Sequence, residues 1–205
     1  MKDFIHLLRD KLKQPLPGLE AQFRMAPQTR SRPGDPWQLP KGSVESAVLL
    51  LLYPGADEFH FPLMVRTADH SVHSRQVSLP GGRTEASDRD PVHTALRETE
   101  EEMGVAMEEI EVLGRLTPLY IPVSNFYVQP VVGFAAARPV FHPDPGEVEQ
   151  LLEIPLPFLH DKAKVFQRNI PISTGLRMNV PCYEFHGHVV WGATAMILSE
   201  MSELI

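Results

Sequence analysis

Residues 80–105 read PGGRTEASDRDPVHTALRETEEEMGV, a glycine pair followed by a short polar stretch and a run of acids. Asp90 is a favoured N-cap residue, and Pro91 would stand at the first helical position, where proline is well tolerated. Gly104 is a typical helix end, because glycine adopts the left-handed conformation at low cost. The sequence therefore predicts an acidic helix over residues 91–103.

Three glutamates of this helix, Glu98, Glu101 and Glu102, are spaced three and four residues apart, so they point to the same side. Like charges in this arrangement destabilise an isolated helix by about 0.2–0.5 kcal/mol per pair. A divalent cation with oxygen ligands would offset that repulsion. A solvent-exposed acidic face is the alternative, but it explains neither the preceding glycine pair nor Gly104. The pattern therefore predicts a metal site on this helix.

The bulk composition indicates one globular domain, with room for a long extension. The chain has 205 residues, of which 43% are hydrophobic and 22% are charged. Its net charge of -7 argues against general binding to nucleic acid or anionic membranes, since both need a basic surface. Cys182 is the single cysteine, so no intrachain disulfide can form.

The sequence also predicts a cytoplasmic location. The longest apolar run, residues 47–53, is much too short to span a membrane. The first residues lack the basic and apolar regions of a signal peptide. A single cysteine is in addition typical of proteins in reducing compartments.

The rest of the chain alternates between strand-like and helix-like segments, which is typical of an α+β fold. Residues 1–14 carry apolar side chains at helical spacing, whereas residues 15–43 are rich in proline and polar residues and predict an extended arm. A helix or turn is expected near Glu147, and an amphipathic helix over residues 191–204. The predicted strands are 44–53 and its hairpin partner 59–66, 76–79, 110–116, 127–136, 164–170 and 180–185.

The acidic stretch resembles the Nudix box, Gx5Ex7REUxEExGU, where U is an apolar residue. The residues that match are Arg97-Glu98, Glu101-Glu102, Gly104 and Val105. Asp88 stands in the place of the first glutamate, and eight residues instead of seven separate it from Arg97. Thr99 occupies the apolar position after Glu98.

A longer pattern resembles the coenzyme A pyrophosphatase branch of that family. It comprises residues 63–67, His73 and residues 76–82, and residues 191–198 resemble the branch's tryptophan–glycine–threonine helix. Two positions depart from the branch, which usually has glycine where Arg75 stands and phenylalanine in place of leucine at position 79.

The resemblance implies an α/β/α sandwich with a mixed sheet over residues 44–205, preceded by the N-terminal helix and arm of residues 1–43. It implies Mg²⁺- or Mn²⁺-dependent hydrolysis of a nucleoside diphosphate derivative. For coenzyme A the products would be 3′,5′-ADP and 4′-phosphopantetheine. ADP-ribose or a nucleotide sugar is an alternative substrate. A non-catalytic nucleotide-sensing domain is a further alternative, disfavoured because the box glutamates are present.

The same resemblance suggests roles for the acidic side chains. Glu101 and Glu102 would bind metal, and Glu98 would be a third ligand or the base that deprotonates water. Glu147 is a second candidate for the base, although an ordinary acid at a helix start is as good an interpretation. Arg97 would orient the carboxylates.

Substrate binding is predicted for residues around the glycine pair. A turn at Gly81-Gly82 would let the backbone approach metal or phosphate closely. Arg66 and Arg75 would clamp the phosphates, and His73 would shape the loop or face the phosphates. A homodimer contact is one use for residues 1–43, and packing against the same chain is another.

Overall fold

A computed structural model describes residues 2–28, 30–32, 34–68, 75–161, 165–171 and 177–205. The helices in these ranges are α1 (Lys2–Lys11), α2 (Gly18–Gln22), α3 (Pro91–Met103) and α4 (Gly192–Ser202). The strands are β1 (Val44–Pro54), β2 (Phe59–Arg66), β3 (Val77–Ser78), β4 (Gly81–Arg83), β5 (Ile110–Arg115), β6 (Leu119–Ile121), β7 (Phe126–Ala135), β8 (Val148–Pro155), β9 (Val165–Pro171), β10 (Arg177–Phe185) and β11 (His188–Val190). Short 3₁₀ helices lie at Phe23–Met25, Met107–Glu109 and Leu156–His160.

The main sheet is mixed, because β1 runs parallel to β7 from Val44 to Leu52 while the other described pairs are antiparallel. Its strand order is β3-β2-β1-β7-β5, with β8 on β2, β4 on β1 and β6 on β7. The predicted β1–β2 hairpin is confirmed by the pairing of Tyr53 with His60. β9, β10 and β11 form a separate antiparallel sheet, which includes the predicted strand pair.

Helices cover both faces of the main sheet. β1 is buried on both sides, which explains its nearly continuous apolar sequence. Leu49 and Leu51 pack with Ala95 of α3 on one face. Leu50 and Leu52 belong to the core on the opposite face, together with apolar residues of α1 and α4. This arrangement confirms the α+β class and the α/β/α sandwich.

The N-terminal segment packs against the same chain. Ile5, Leu8 and Leu12 of α1 are buried in the main core. The expectation of an extended arm over residues 15–43 is wrong for residues 18–25, which form α2 and a 3₁₀ turn. These residues are helical because they pack against α4. The hydroxyl of Ser199 in α4 donates a hydrogen bond to the backbone carbonyl of Ala21 at 2.7 Å.

The closing helix was expected to be amphipathic, and this is wrong. In α4 every residue from Thr194 to Met201 is buried, so the helix lies inside the core. Its one carboxylate, Glu200, is fully buried and accepts hydrogen bonds from the Thr117 hydroxyl at 2.6 Å and the Gln22 side-chain amide at 2.8 Å. The backbone N–H groups of Gly18 and Thr117 donate to it as well. The buried polar group is therefore satisfied by surrounding donors.

Near Glu147 the structure has a turn followed by β8, so the turn alternative is correct and the helix alternative is wrong. The glycine pair forms no turn either, because Gly81 and Gly82 lie in β4 and pair with Val48 and Ala47 of β1. No helix in the described ranges is long and apolar enough to cross a membrane.

Candidate active site

α3 begins and ends where the sequence predicts. The side chain of Asp90 accepts a hydrogen bond from the backbone N–H of His93 at 2.9 Å, and Pro91 is the first helical residue. Gly104 adopts the left-handed conformation with φ 68° and ends the helix. These two caps fix which turn of α3 carries the glutamates.

Arg97 is the centre of an ion-pair network on α3. Its Nε and Nη2 atoms both donate to the carboxylate of Asp88 at 3.0 Å. Its Nη1 donates to Glu101 at 2.9 Å, and its Nη2 also lies 2.9 Å from Glu98. A further bond joins Nη2 to the carbonyl of Arg83 in β4 at 3.0 Å. Arg97 therefore holds two of the three predicted glutamates and ties the helix to the glycine strand.

Asp88 is the buried anchor of this network, with no side-chain exposure. Besides Arg97 it accepts hydrogen bonds from the His93 ring at 2.8 Å, the Thr94 hydroxyl at 3.0 Å and the backbone N–H of Glu85 at 2.9 Å. The donation from Arg97 is the largest reason why the pKa of Asp88 lies far below its usual range. Although Asp88 is shorter than the glutamate of the Nudix box and lies one residue further from Arg97, it still accepts two hydrogen bonds from Arg97.

Glu98 lies directly against the glycine strand. A Cβ atom added to Gly82 would stand 2.5 Å from the carboxyl carbon and both carboxylate oxygens of Glu98. Only glycine leaves room for this contact. Burial is the main reason why the pKa of Glu98 is raised; Arg97 opposes the shift, and repulsion from Glu101 and Glu147 adds to it.

Glu102 is the most deeply placed of the three glutamates, with 2% exposure. It accepts a hydrogen bond from the backbone N–H of Gly81 at 2.7 Å and a longer one from Nη1 of Arg66 at 3.3 Å. Burial raises the pKa of Glu102 to about 8, and repulsion from Glu147 and Glu98 adds to the rise. A neighbouring cation would therefore stabilise its ionised form.

Glu101 and Glu147 are exposed at the edge of the site. The side chain of Glu101 is 58% exposed although Arg97 binds it. Glu147 is exposed in the turn before β8. Because its charge raises the pKa of both Glu98 and Glu102, it lies within electrostatic reach of the two buried glutamates. The structure thus places Glu98, Glu101 and Glu102 on one turn of α3 and Glu147 at the edge of the site.

The predicted substrate-binding residues are only partly assembled. Arg66 lies at the end of β2 and contacts Glu102. Arg75 is exposed, and its φ of 56° is the left-handed conformation that glycine favours. This conformation gives a physical reason for glycine at the corresponding position of the branch. His73 lies outside the described residues.

The donor chemistry suits a hard divalent ion, since Glu98, Glu101 and Glu102 supply oxygen ligands only. In the described ranges, however, no three acidic, histidine or cysteine side chains are gathered into a metal-binding cluster. Arg97 and Arg66 neutralise the carboxylates instead. A bound cation would therefore take over part of that role.

Two features of the site escaped the sequence argument. The buried position of Asp88 and its five hydrogen bonds could not be inferred, although its place in the box was visible. Thr67 bonds the turn that carries Glu147, through both its N–H and its hydroxyl. A lone threonine after a strand gives no sequence signal, so only the fold reveals this contact.

Fold and site together define a Nudix hydrolase, and a family model for the NUDIX domain matches residues 45–167. The chain belongs to this family, whose members hydrolyse phosphoric anhydrides. It is 40% identical over 140 residues to an uncharacterised Nudix hydrolase NudL of Pectobacterium atrosepticum, covering 67% of this chain and 70% of the relative.

A second NudL relative, from Yersinia pestis, is also uncharacterised and is 33% identical over 144 residues, covering 70% of this chain and 71% of the relative. Among solved structures, a MutT protein from Methanosarcina mazei superposes with a TM-score of 0.50 at 15% identity, covering 81% of this chain and 96% of that chain. This likeness concerns the fold alone.

Proposed function

We propose that this Nudix hydrolase cleaves the diphosphate linkage of coenzyme A or its derivatives, releasing 3′,5′-ADP and 4′-phosphopantetheine or its acyl form. The observation that carries the proposal is the pairing of Arg66 with Glu102 beside Gly81. Through Arg66 and Gly81, the segment that resembles the coenzyme A branch contacts Glu102 of the acidic helix. The acids would act on any diphosphate, whereas the segment from Arg66 to Gly82 is the feature that resembles the coenzyme A branch and not other Nudix hydrolases.

The proposed chemistry follows from charge. A diphosphate carries several negative charges that repel an attacking hydroxide, and a bound Mg²⁺ or Mn²⁺ would neutralise them and lower the pKa of water. Glu98, Glu101 and Glu102 would hold the ion. Glu147 or Glu98 would accept the proton of the attacking water. Arg97 keeps Glu98 and Glu101 in place and needs no contact with substrate.

Arg66 would lie near the phosphates, because it reaches the deepest glutamate and is still partly exposed. A guanidinium there can donate two hydrogen bonds to phosphate oxygens. Arg75 would add a second cation just before β3, close in sequence to the glycine strand. His73 keeps its two predicted roles, shaping the loop or facing the phosphates. The cytoplasmic location and the homodimer stay predictions, the latter testable by light scattering in solution.

The test is hydrolysis of coenzyme A, ADP-ribose, NADH and UDP-glucose, each with Mg²⁺ and with Mn²⁺, with products identified by mass. The expected result is fastest cleavage of coenzyme A to the two products named above, and no turnover with EDTA. Faster cleavage of ADP-ribose or UDP-glucose would overturn the substrate assignment while leaving the enzyme class intact.

Two variants test the residues. Glu102→Gln removes the charge of the deepest acid and should lower kcat by about 10³-fold or more, in line with the loss of a key electrostatic group. Glu100→Gln is the matched control, since Glu100 is an exposed acid of the same helix. It should keep wild-type activity. Wild-type activity in Glu102→Gln would contradict the proposed metal site.

A further inference from the structure

The turn that carries Glu147 is attached at one end to the C-terminus of α3. The backbone N–H of His142 donates to the carbonyl of Met103 at 2.8 Å, and that of Asp144 donates to the carbonyl of Glu102 at 3.0 Å. Carbonyls in the last turn of a helix lack partners within the helix. The segment after β7 therefore supplies them and follows the position of the acidic helix.

The other end of the turn is attached to β2. The backbone N–H of Thr67 donates to the carbonyl of Glu147 at 3.0 Å, and the hydroxyl of Thr67 donates to the carbonyl of Gly146 at 3.0 Å. The register between β2 and β8 shifts just before this point. Such a bulge redirects the backbone and its side chains, so Thr67 binds the turn where the regular strand pairing ends.

Between these two attachments the turn is held by Asp144. Its side chain accepts from the N–H of Gly146 at 2.8 Å, and its carbonyl accepts from the N–H of Glu147 at 3.1 Å. The backbone N–H of Val148 also donates to the carbonyl of Asp144, at 2.8 Å. These bonds fix the backbone of the turn on both sides of Gly146, its most flexible residue.

We propose that Thr67 is a positioning residue whose hydroxyl, by holding the carbonyl of Gly146, keeps the carboxylate of Glu147 beside Glu98 and Glu102. This inference rests on the proposed role of Glu147 in hydrolysis. The bonds from the N–H of Asp144 to the carbonyl of Glu102 and from Thr67 to the carbonyls of Gly146 and Glu147 hold the turn against the end of α3. A shift of about 1 Å in a reacting group can cost 10²-fold in rate, so a modest loosening of the turn should be measurable.

The variant Thr67→Val keeps the shape and the backbone N–H but removes the hydroxyl. It should lower kcat about tenfold with KM changed less than about twofold, because the substrate contacts are retained. Thr67→Ser restores the hydroxyl and should recover most of the activity. The control is Ser43→Ala, in a different loop before β1. It removes a hydroxyl that donates to the carbonyl of Pro40 at 2.7 Å. It should leave kcat unchanged.

A double-mutant cycle with Glu147→Gln separates positioning from general damage. If Thr67 acts through Glu147, Thr67→Val should lower kcat less than about twofold in the Glu147→Gln background. An equal tenfold loss in both backgrounds, wild-type kcat in Thr67→Val, or wild-type kcat in Glu147→Gln would each overturn the proposal. Assays with enzyme in excess keep the slow backgrounds measurable.

The substrate for this cycle is whichever diphosphate of the panel the wild-type enzyme cleaves fastest. A failure of the coenzyme A assignment therefore leaves the test of Thr67 intact. Thermal unfolding of each variant shows whether the fold is retained, and a loss of kcat without a shift in Tm is the expected result.

Discussion

Substituting Gly82 by alanine should separate activity from stability more sharply than any change of an acid. Gly82 is not one of the described glycines with a positive φ. Alanine can therefore adopt its backbone conformation without strain. The added Cβ would stand 2.5 Å from the carboxylate of Glu98. That carboxylate is the end of a flexible side chain and can move, whereas the backbone of β4 cannot.

The magnitude follows from the distances. To restore the 3.4 Å of an ordinary contact, the Glu98 carboxylate must move by about 0.9 Å. A displacement of about 1 Å in a catalytic group costs up to 10²-fold in rate, which is about 2.7 kcal/mol in activation free energy. The free energy of unfolding should change by less than about 1 kcal/mol, since alanine also reduces the entropy of the unfolded chain.

The assay is steady-state hydrolysis of the best substrate at saturating metal, together with thermal unfolding. Gly34→Ala is the matched control, because a Cβ at Gly34 meets nothing within 4 Å. Gly81→Ala is the opposite case: its φ is 148° and its Cβ would lie 2.2 Å from the carbonyl of Ala47, so it should destabilise the fold. Wild-type kcat in Gly82→Ala would refute the argument that the exact position of Glu98 matters.

Two further predictions concern stability. Asp88→Asn should lower the free energy of unfolding by about 2 kcal/mol at pH 7, because hydrogen bonds to a charged group are lost. The pKa of Asp88 is lowered in the fold, so its stabilising effect is complete above its unfolded pKa of about 3.9, declines as the pH falls below that value, and disappears only below the folded pKa. Urea unfolding at pH 7 and pH 3 should therefore show the two proteins converging, and a constant difference would contradict this. Glu200→Ala should lower the free energy of unfolding by at least about 3 kcal/mol in urea titrations, because it leaves the buried donors of Thr117 and Gln22 unpaired; a loss under 1 kcal/mol would argue against the network.

The parts of the fold that could be predicted carry strong local signals. α3 was predicted to the residue because Asp90, Pro91 and Gly104 mark its ends independently of the core. β1 was recognisable because a strand buried on both faces has a continuous apolar sequence. The spacing of Glu98, Glu101 and Glu102 on that helix made them candidates for the site.

The parts that escaped depend on tertiary contacts. In β8, apolar residues Val148, Leu151 and Leu152 happen to be spaced as on a helix, so periodicity could not distinguish the two. α2 lies among prolines that suggest an extended chain, yet packing on α4 makes it helical. α4 itself has no polar face, and sequence alone does not say that a helix lies inside the core. The contact between Arg97 and Asp88 could not be predicted, because it depends on the three-dimensional path of residues 84–90.

The position of α4 has a consequence for biosynthesis. The apolar side chains of α1, among them Ile5 and Leu8, belong to the same core as those of α4, which is built from residues 192–202. A ribosome adding about 5–20 residues per second needs on the order of ten seconds or more to reach α4 after α1 has been made. During that interval the core that α1 enters lacks α4, so its unfinished apolar surface is a target for chaperones that bind emerging polypeptides.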